Sequence, residues 1–126
     1  MARFTICTIV LVALGAVGLV AAAGAQTESH PKLIGVVGKN NAYKITLTTA
    51  SGKSAKTLKH GTYTFVIHDD SSIHSYSLDG PNGKSWDFTT IPFIGTKTRT
   101  LTLTPGKYKA YCEAHESEMY FHFTVK

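Results

Sequence analysis

The chain has 126 residues and a formal net charge of +5, and 43% of its residues are hydrophobic, which is the composition of one folded domain rather than of a disordered chain. Lysine and arginine outnumber acidic residues by 13 to 8, but the lysines are scattered along the sequence, which argues against a nucleic-acid-binding protein. A mildly basic surface can still steer an acidic protein partner.

The first 25 residues have the pattern of a secretion signal. Arg3 precedes an apolar run from Phe4 to Val20, and small residues follow, ending in Ala23-Gly24-Ala25. This order is typical of a signal peptide, so we predict cleavage before Gln26 and export to the periplasm or the exterior, without stable membrane insertion. Retention as a membrane anchor is the alternative, because the apolar run is just long enough to span a bilayer.

Cleavage would leave a flexible N-terminal segment at residues 26–31 and one domain at residues 32–126. Arg3 is the one basic residue removed, so 12 of the 13 lysines and arginines remain beside the 8 acidic residues, a net charge of +4. Cys7 is removed as well, which leaves Cys112 without a partner for an intramolecular disulfide. An exported lone thiol is protected either by a metal bond or by burial as a small hydrophobic side chain.

Apolar and polar residues alternate with a period of two along most of the domain, which predicts β-strands. The predicted strands are residues 32–37, 43–49, 62–68, 73–78, 97–104, 108–112 and 119–125. Residues 51–59 and 86–95 are predicted to be irregular, with Trp86 as an edge or lid residue packed on the core. Because no stretch after residue 25 has helical periodicity, we predict an all-β Greek-key sandwich or barrel of about seven to eight strands.

A candidate metal site lies near the C-terminus. Cys112, His115 and Met119 occur within eight residues between the last two predicted strands. Cys112 is the last inward-facing residue of the predicted strand 108–112, and Met119 is the first of the strand 119–125. The short loop between them can therefore bring the three donors to one point. His74 is the best fourth candidate, because it shares a face with apolar residues and a buried imidazole needs a partner. Two imidazoles, a thiolate and a weak axial thioether form the ligand set of a blue-copper electron-transfer site.

Each of these residues also has a simpler explanation when it is taken alone. His74 could be a hydrogen-bonded core histidine, His115 a surface loop residue and Met119 simple core filling. The joint pattern favours the metal site. The other four histidines lack this context and are predicted to lie on the surface: His30, His60, His68 and His122.

These motifs resemble those of the cupredoxins, the small blue-copper proteins that include plastocyanin, pseudoazurin and amicyanin. The resemblance is closest over Tyr63–Lys126, and its motifs are Phe65-Val66-Ile67-His68-Asp69, His74, Thr100-Leu101-Thr102-Leu103 with Pro105-Gly106, and Tyr111-Cys112-Glu113-Ala114-His115 followed by Met119. It implies a cupredoxin-like fold in which His74, Cys112 and His115 bind one copper ion in a plane. Met119 would bind weakly along the axis.

The chain departs from the cupredoxin pattern at three points. Three residues separate His115 from Met119, between the two of amicyanin and the four of plastocyanin. Ser75 stands where the family usually has an asparagine that ties the two ligand loops together, and Ala114 stands where proline is frequent. Ser75 leaves the rigidity of the ligand loop an open question, and Ala114 removes one restraint from that loop.

The resemblance implies a one-electron carrier rather than an enzyme. We expect a monomer that cycles between Cu(I) and Cu(II) and docks redox partner proteins near His115. Pro92, Phe93 and Ile94 are predicted to form an apolar docking patch suited to brief encounters. Two alternatives remain open: a copper carrier or storage protein of the same fold without redox cycling, and a β-sandwich binding module that holds no metal.

Overall fold

Nine strands form two sheets in the described part of the chain, which comprises Gly24 and residues 27–126 of a computed structural model. The strands are β1 (Lys32–Val37), β2 (Ile45–Thr49), β3 (Thr57–Leu58), β4 (Gly61–Asp69), β5 (Tyr76–Asp79), β6 (Ser85–Thr89), β7 (Gly95–Leu103), β8 (Gly106–Tyr111) and β9 (Tyr120–Val125). Three short 3₁₀ helices lie between them at Lys39–Asn41, Pro81–Gly83 and Glu113–His115. The predicted secretion signal lies outside the described residues, apart from Gly24.

Both sheets combine antiparallel pairs with one parallel pair. The four-stranded sheet has the order β2-β1-β4-β7, and its parallel pair is β1 with β4. The five-stranded sheet has the order β3-β9-β8-β5-β6, and its parallel pair is β3 with β9. This architecture confirms the predicted all-β sandwich, with nine strands instead of seven to eight. Among the described residues, no helix has the length and apolar character needed to cross a membrane.

One apolar core lies between the two sheets, and the predicted inward faces supply it. Phe65 and Ile67 of β4 are fully buried, and Leu103 of β7 is 1% exposed. Tyr108 and Ala110 of β8 face them from the other sheet and are 1% and 0% exposed. The period-two pattern thus predicted correctly which face of each of these strands is buried, because each strand has one face on the core.

Two segments predicted to be irregular contain strands. In residues 51–59, Thr57–Leu58 pairs with β9, and Leu58 is 9% exposed opposite Val125. Two residues are too few for an alternating pattern to be recognised, so the prediction was wrong there. In residues 86–95, Ser85–Thr89 forms β6 at the edge of its sheet. Trp86 is half-buried against the core on this edge strand, as predicted.

The segment that carries His74 is a loop and not the beginning of a strand. β5 begins at Tyr76, because the two preceding amides donate hydrogen bonds to groups outside the neighbouring strands. The amide of His74 donates to the carbonyl of Ser71 at 3.3 Å, and the amide of Ser75 donates to the sulfur of Cys112 at 3.3 Å. His74 is nevertheless fully buried, as predicted.

Candidate metal centre

Residues 112–119 form a closed loop between β8 and β9. Cys112 and Met119 lie just outside their strands and face each other, because the amide of Cys112 donates to the carbonyl of Met119 at 3.0 Å. The carbonyl of His115 accepts the amide of Met119 at 2.8 Å, and the amide of His115 donates to the carbonyl of Cys112 at 3.1 Å. Backbone hydrogen bonds therefore join the three residues of the loop that were predicted to converge.

The side chains of His74, Cys112 and His115 meet as a small triangle of donor atoms. The two Nδ1 atoms are 3.1 Å apart, and Sγ of Cys112 lies 3.6 Å from Nδ1 of His115 and 3.9 Å from Nδ1 of His74. Bonds of about 2.0–2.1 Å to nitrogen and about 2.3 Å to sulfur in a trigonal arrangement place nitrogen atoms about 3.5 Å apart and nitrogen and sulfur about 3.8 Å apart. The triangle therefore has the size that one metal ion requires.

Met119 lies beside this triangle as its candidate fourth member. Its side chain is 1% exposed, and its backbone is bonded to both Cys112 and His115. The three acidic residues of the loop, Glu113, Glu116 and Glu118, are exposed to solvent. The donor side chains of the site are thus one thiol, two imidazoles and one thioether, all buried or half-buried, a combination that suits copper better than a hard cation.

Tyr43 covers both imidazoles, and sequence reasoning missed it. Its ring centroid lies 5.0 Å from that of His74 and 4.6 Å from that of His115, with both contacts edge-to-face. Edge-to-face packing is a favourable geometry for aromatic rings. The phenol ring remains 54% exposed, so it is both a contact of the site and part of the surface. Only the fold of the loop before β2 brings it there, and no local pattern indicates this.

Gly38 allows the same loop to approach His74 closely. Its φ of +69° lies in the left-handed region, and a Cβ atom there would lie 2.8 Å from Cδ2 of His74 and 2.5 Å from Cβ of Ser71. Nε2 of His74 is buried without a hydrogen-bond partner in the described part of the chain. Packing of this loop, rather than a hydrogen bond at Nε2, therefore positions the outer edge of the His74 ring.

Comparison with known proteins finds similarity in structure but not in sequence. No protein-family model and no curated protein matches the chain. A methionine-to-glutamine mutant of rusticyanin superposes with a TM-score of 0.54 at 14% identity, covering 75% of this chain and 76% of that one. Rusticyanin from Thiobacillus ferrooxidans gives a TM-score of 0.51 at 17% identity with the same coverage of 75% and 76%. The chain has the rusticyanin-like cupredoxin fold.

Ser75 restores a tie that the usual cupredoxin asparagine was expected to supply. Its amide donates to Sγ of Cys112 at 3.3 Å, and its hydroxyl lies 3.8 Å from the same sulfur. The hydroxyl oxygen also accepts the amide of Glu113 at 3.1 Å. Serine thus joins the loop of His74 to the loop of Cys112, which answers the question that the absent asparagine left open.

Asp69 fixes the loop of His74 from the other side. Its buried carboxylate accepts the hydroxyl of Thr89 at 2.6 Å and the amide of Ser71 at 3.2 Å, and the oxygen of Thr89 accepts the amide of Tyr76 at 2.9 Å. Burial raises the pKa of Asp69 above its usual range, and the two donated hydrogen bonds oppose part of that rise. The network connects the ends of β4 and β6 to the beginning of β5, which limits movement of the loop between them.

The remaining histidines of the described chain lie outside the cluster. His60 and His122 are exposed, as predicted, whereas His30 and His68 are half-buried. Nδ1 of His68 lies 2.9 Å from the hydroxyl of Thr96 on the neighbouring strand. His68 thus has a partner on the neighbouring strand, and it is not part of the group of candidate ligands.

Two exposed apolar side chains beside the cluster were not among those predicted to form a docking patch. Pro92 and Ile94 are exposed and Phe93 is half-buried, but their role as a docking patch stays a prediction. Tyr43 contacts both imidazoles, and Ile73, next to His74, is 46% exposed. In this cupredoxin fold, these two side chains form part of the surface beside the candidate metal centre.

Proposed function

We propose that this chain is an exported type 1 (blue) copper protein that carries single electrons between redox partners and is not an enzyme. The observation that carries the proposal is the triangle of His74, Cys112 and His115 donor atoms, with sides of 3.1–3.9 Å, in a cupredoxin fold. These three residues would hold one copper ion, with Met119 as a weaker fourth donor. Copper, when bound, supplies a one-electron couple between Cu(I) and Cu(II).

The protein contributes rigidity and exclusion of water. His74 and Cys112 are 0% exposed and Met119 is 1% exposed, so solvent does not reach these donors. Ser75, Asp69 and the backbone of the ligand loop restrain the donor atoms, which reduces the rearrangement that a change of oxidation state demands. A site with little rearrangement suits electron transfer better than storage.

The pattern of exposure indicates where a redox partner would dock. His115 is the half-buried member of an otherwise fully buried set, so its edge offers the shortest approach to the site. Tyr43 and Ile73 lie on the same surface, and a small apolar surface of this kind fits the brief encounters typical of redox proteins. Export to the periplasm or the exterior, predicted from the first 25 residues, would place the protein with such partners.

The first test is addition of Cu(II) to the purified protein. We expect one copper per chain, an intense blue colour from charge transfer between the thiolate and copper, and a reversible one-electron wave in voltammetry. A colourless protein with one bound copper would contradict the electron-carrier proposal and favour storage. Absence of binding in a copper titration would favour a β-sandwich module without metal.

The second expected result is that copper stabilises the fold without being required for it. Apart from Cys112 and Met119, the core between the two sheets is built from side chains that are not candidate ligands, so the metal-free protein should remain folded. At free copper of about 100 times the dissociation constant, linkage adds about 2.7 kcal/mol to the free energy of unfolding. For a domain of this size, the melting temperature should rise by roughly 10–20 °C in circular dichroism. Calcium at the same concentration is the control, and a disordered metal-free protein would contradict the expectation.

A further inference from the structure

Lysines that are scattered in the sequence converge on one face of the fold. In the β8–β9 pair, Lys107 lies opposite Thr124, Lys109 opposite His122 and Tyr111 opposite Tyr120. These residues alternate with the buried Tyr108 and Ala110, so they share the outer face of the five-stranded sheet. Lys56 joins them from the segment before β3, where its carbonyl accepts the amide of Thr124 at 3.0 Å. We call Lys56, Lys107, Lys109, Tyr111, Tyr120 and His122 the basic face.

Contacts with neighbouring side chains hold the ammonium group of Lys109 in place. Nζ lies 5.3 Å from the ring centroid of Tyr111 and 5.7 Å from that of Tyr120. It also pairs with the carboxylate of Glu116, a residue of the ligand loop, at 2.6 Å. The ring of Tyr120 is 50% exposed beside it. At this point the basic face therefore presents a fixed Lys109–Glu116 ion pair beside two aromatic rings, next to the ligand loop.

Two shallow cavities run along the basic face. One has a volume of about 480 Å³ and is lined by Lys109, Glu116, Ser117, Tyr120 and His122. The other has a volume of about 350 Å³, and Lys56, Lys107 and His122 are among its lining residues. His122 belongs to both, so the two cavities are neighbours, and together we call them the groove.

The unpaired positive charge of the groove lies at the end lined by Lys56 and Lys107. Lys56 and Lys107 are exposed and, within the described residues, make no ion pair. Glu116 is the acidic residue of the lining, and Lys109 neutralises it. Asp79 borders the basic face at β5, where the hydroxyl of Tyr111 donates to its carboxylate at 3.3 Å. A ligand in the groove therefore meets two unpaired lysines at one end and the Lys109–Glu116 pair with its tyrosine rings at the other.

We propose that the basic face is a docking surface for an acidic segment of a partner protein, separate from the surface at His115. Its cations are lysines, whereas Arg99 lies on β7 of the other sheet, and arginine is the side chain best matched to phosphate groups. The tyrosine rings supply the apolar contact that a polypeptide can use. Tyr111 and Tyr120 flank Cys112 and Met119 in the chain, so a partner bound here lies beside the ligand loop.

The test is titration of the isotope-labelled protein with an oligoglutamate peptide at low salt, followed by nuclear magnetic resonance. We expect chemical-shift changes confined to β8, β9 and the segment around Lys56, and an affinity that falls as salt is added. The double variant Lys56→Glu/Lys107→Glu should bind the peptide about tenfold more weakly, because two favourable charge contacts become repulsive. Both residues are exposed, so the fold should be unchanged.

The double variant Lys97→Glu/Arg99→Glu is the matched control, since it changes the net charge equally on β7. It should keep most of the affinity, and an equal loss in both variants would overturn the proposal in favour of a net-charge effect. Tighter binding of a DNA oligonucleotide or of anionic lipid vesicles by the same residues would also overturn it.

The identification of the partner as a redox protein depends on the proposed function, but peptide binding does not. Peptide binding without copper, in a protein that also fails to turn blue, would therefore reject only the electron-carrier function. A blue protein that does not bind the peptide would reject only the basic face.

Discussion

Replacing Cys112 with serine is expected to abolish the blue colour and to weaken copper binding by more than about a hundredfold. The colour requires charge transfer from a thiolate, and a serine hydroxyl stays protonated and is a harder donor than sulfur. The side chain is 0% exposed and accepts the amide of Ser75, which serine can also accept, so the fold should survive. Visible absorption and calorimetric copper titration measure the two effects.

The control for this variant is Ser117→Ala in the same loop. Ser117 is exposed and lies outside the donor triangle, so its loss should leave colour and affinity unchanged. Circular dichroism of both variants separates loss of the site from loss of the fold. An intense visible band in the Cys112→Ser protein would show that sulfur of Cys112 is not the donor, and the proposed ligand set would then be wrong.

The sequence predicts much of the fold because most strands have one buried and one exposed face. β1 coincides with its predicted bounds, and the inward faces of β4, β7 and β8 are buried as expected. β3 was missed because pairing with β9 creates it, not its own two residues. The beginning of β5 was placed three residues early, because the period-two pattern cannot reveal that the amide of Ser75 is bonded to Cys112.

Part of the candidate site could be predicted from neighbouring residues in the sequence, and part depends on contacts between distant segments. Cys112, His115 and Met119 lie within one loop, so their spacing alone suggested convergence. Tyr43 contacts His115, which is 72 residues further along the chain. Ser75 accepts the amide of Glu113, which is 38 residues further along. The basic face was missed for the same reason, because Lys56 reaches β9 only through the parallel pairing of β3. Such contacts follow from the sheet order, which no local pattern specifies.

Replacing Met119 with leucine should leave the protein blue but raise its reduction potential. Leucine fills a similar volume, and Met119 is 1% exposed, so packing of the core should be retained. The weak axial donor would be lost while His74, Cys112 and His115 remain, and Cu(II) would lose more support than Cu(I). Each tenfold loss of affinity for Cu(II) relative to Cu(I) raises the potential of this one-electron couple by about 59 mV. Voltammetry of the copper-loaded protein measures the change.

Glu118→Gln is the matched control for the axial position. Glu118 lies next to Met119 in the chain but is exposed, whereas Met119 is buried, so removal of its charge should change the potential little. Its carboxylate is also a hard donor, poorly suited to Cu(I). A larger change for Glu118→Gln than for Met119→Leu would therefore assign the axial position to an oxygen donor. The loop would then have to turn Glu118 inward when copper binds, and the rigidity on which the electron-carrier proposal depends would be lost.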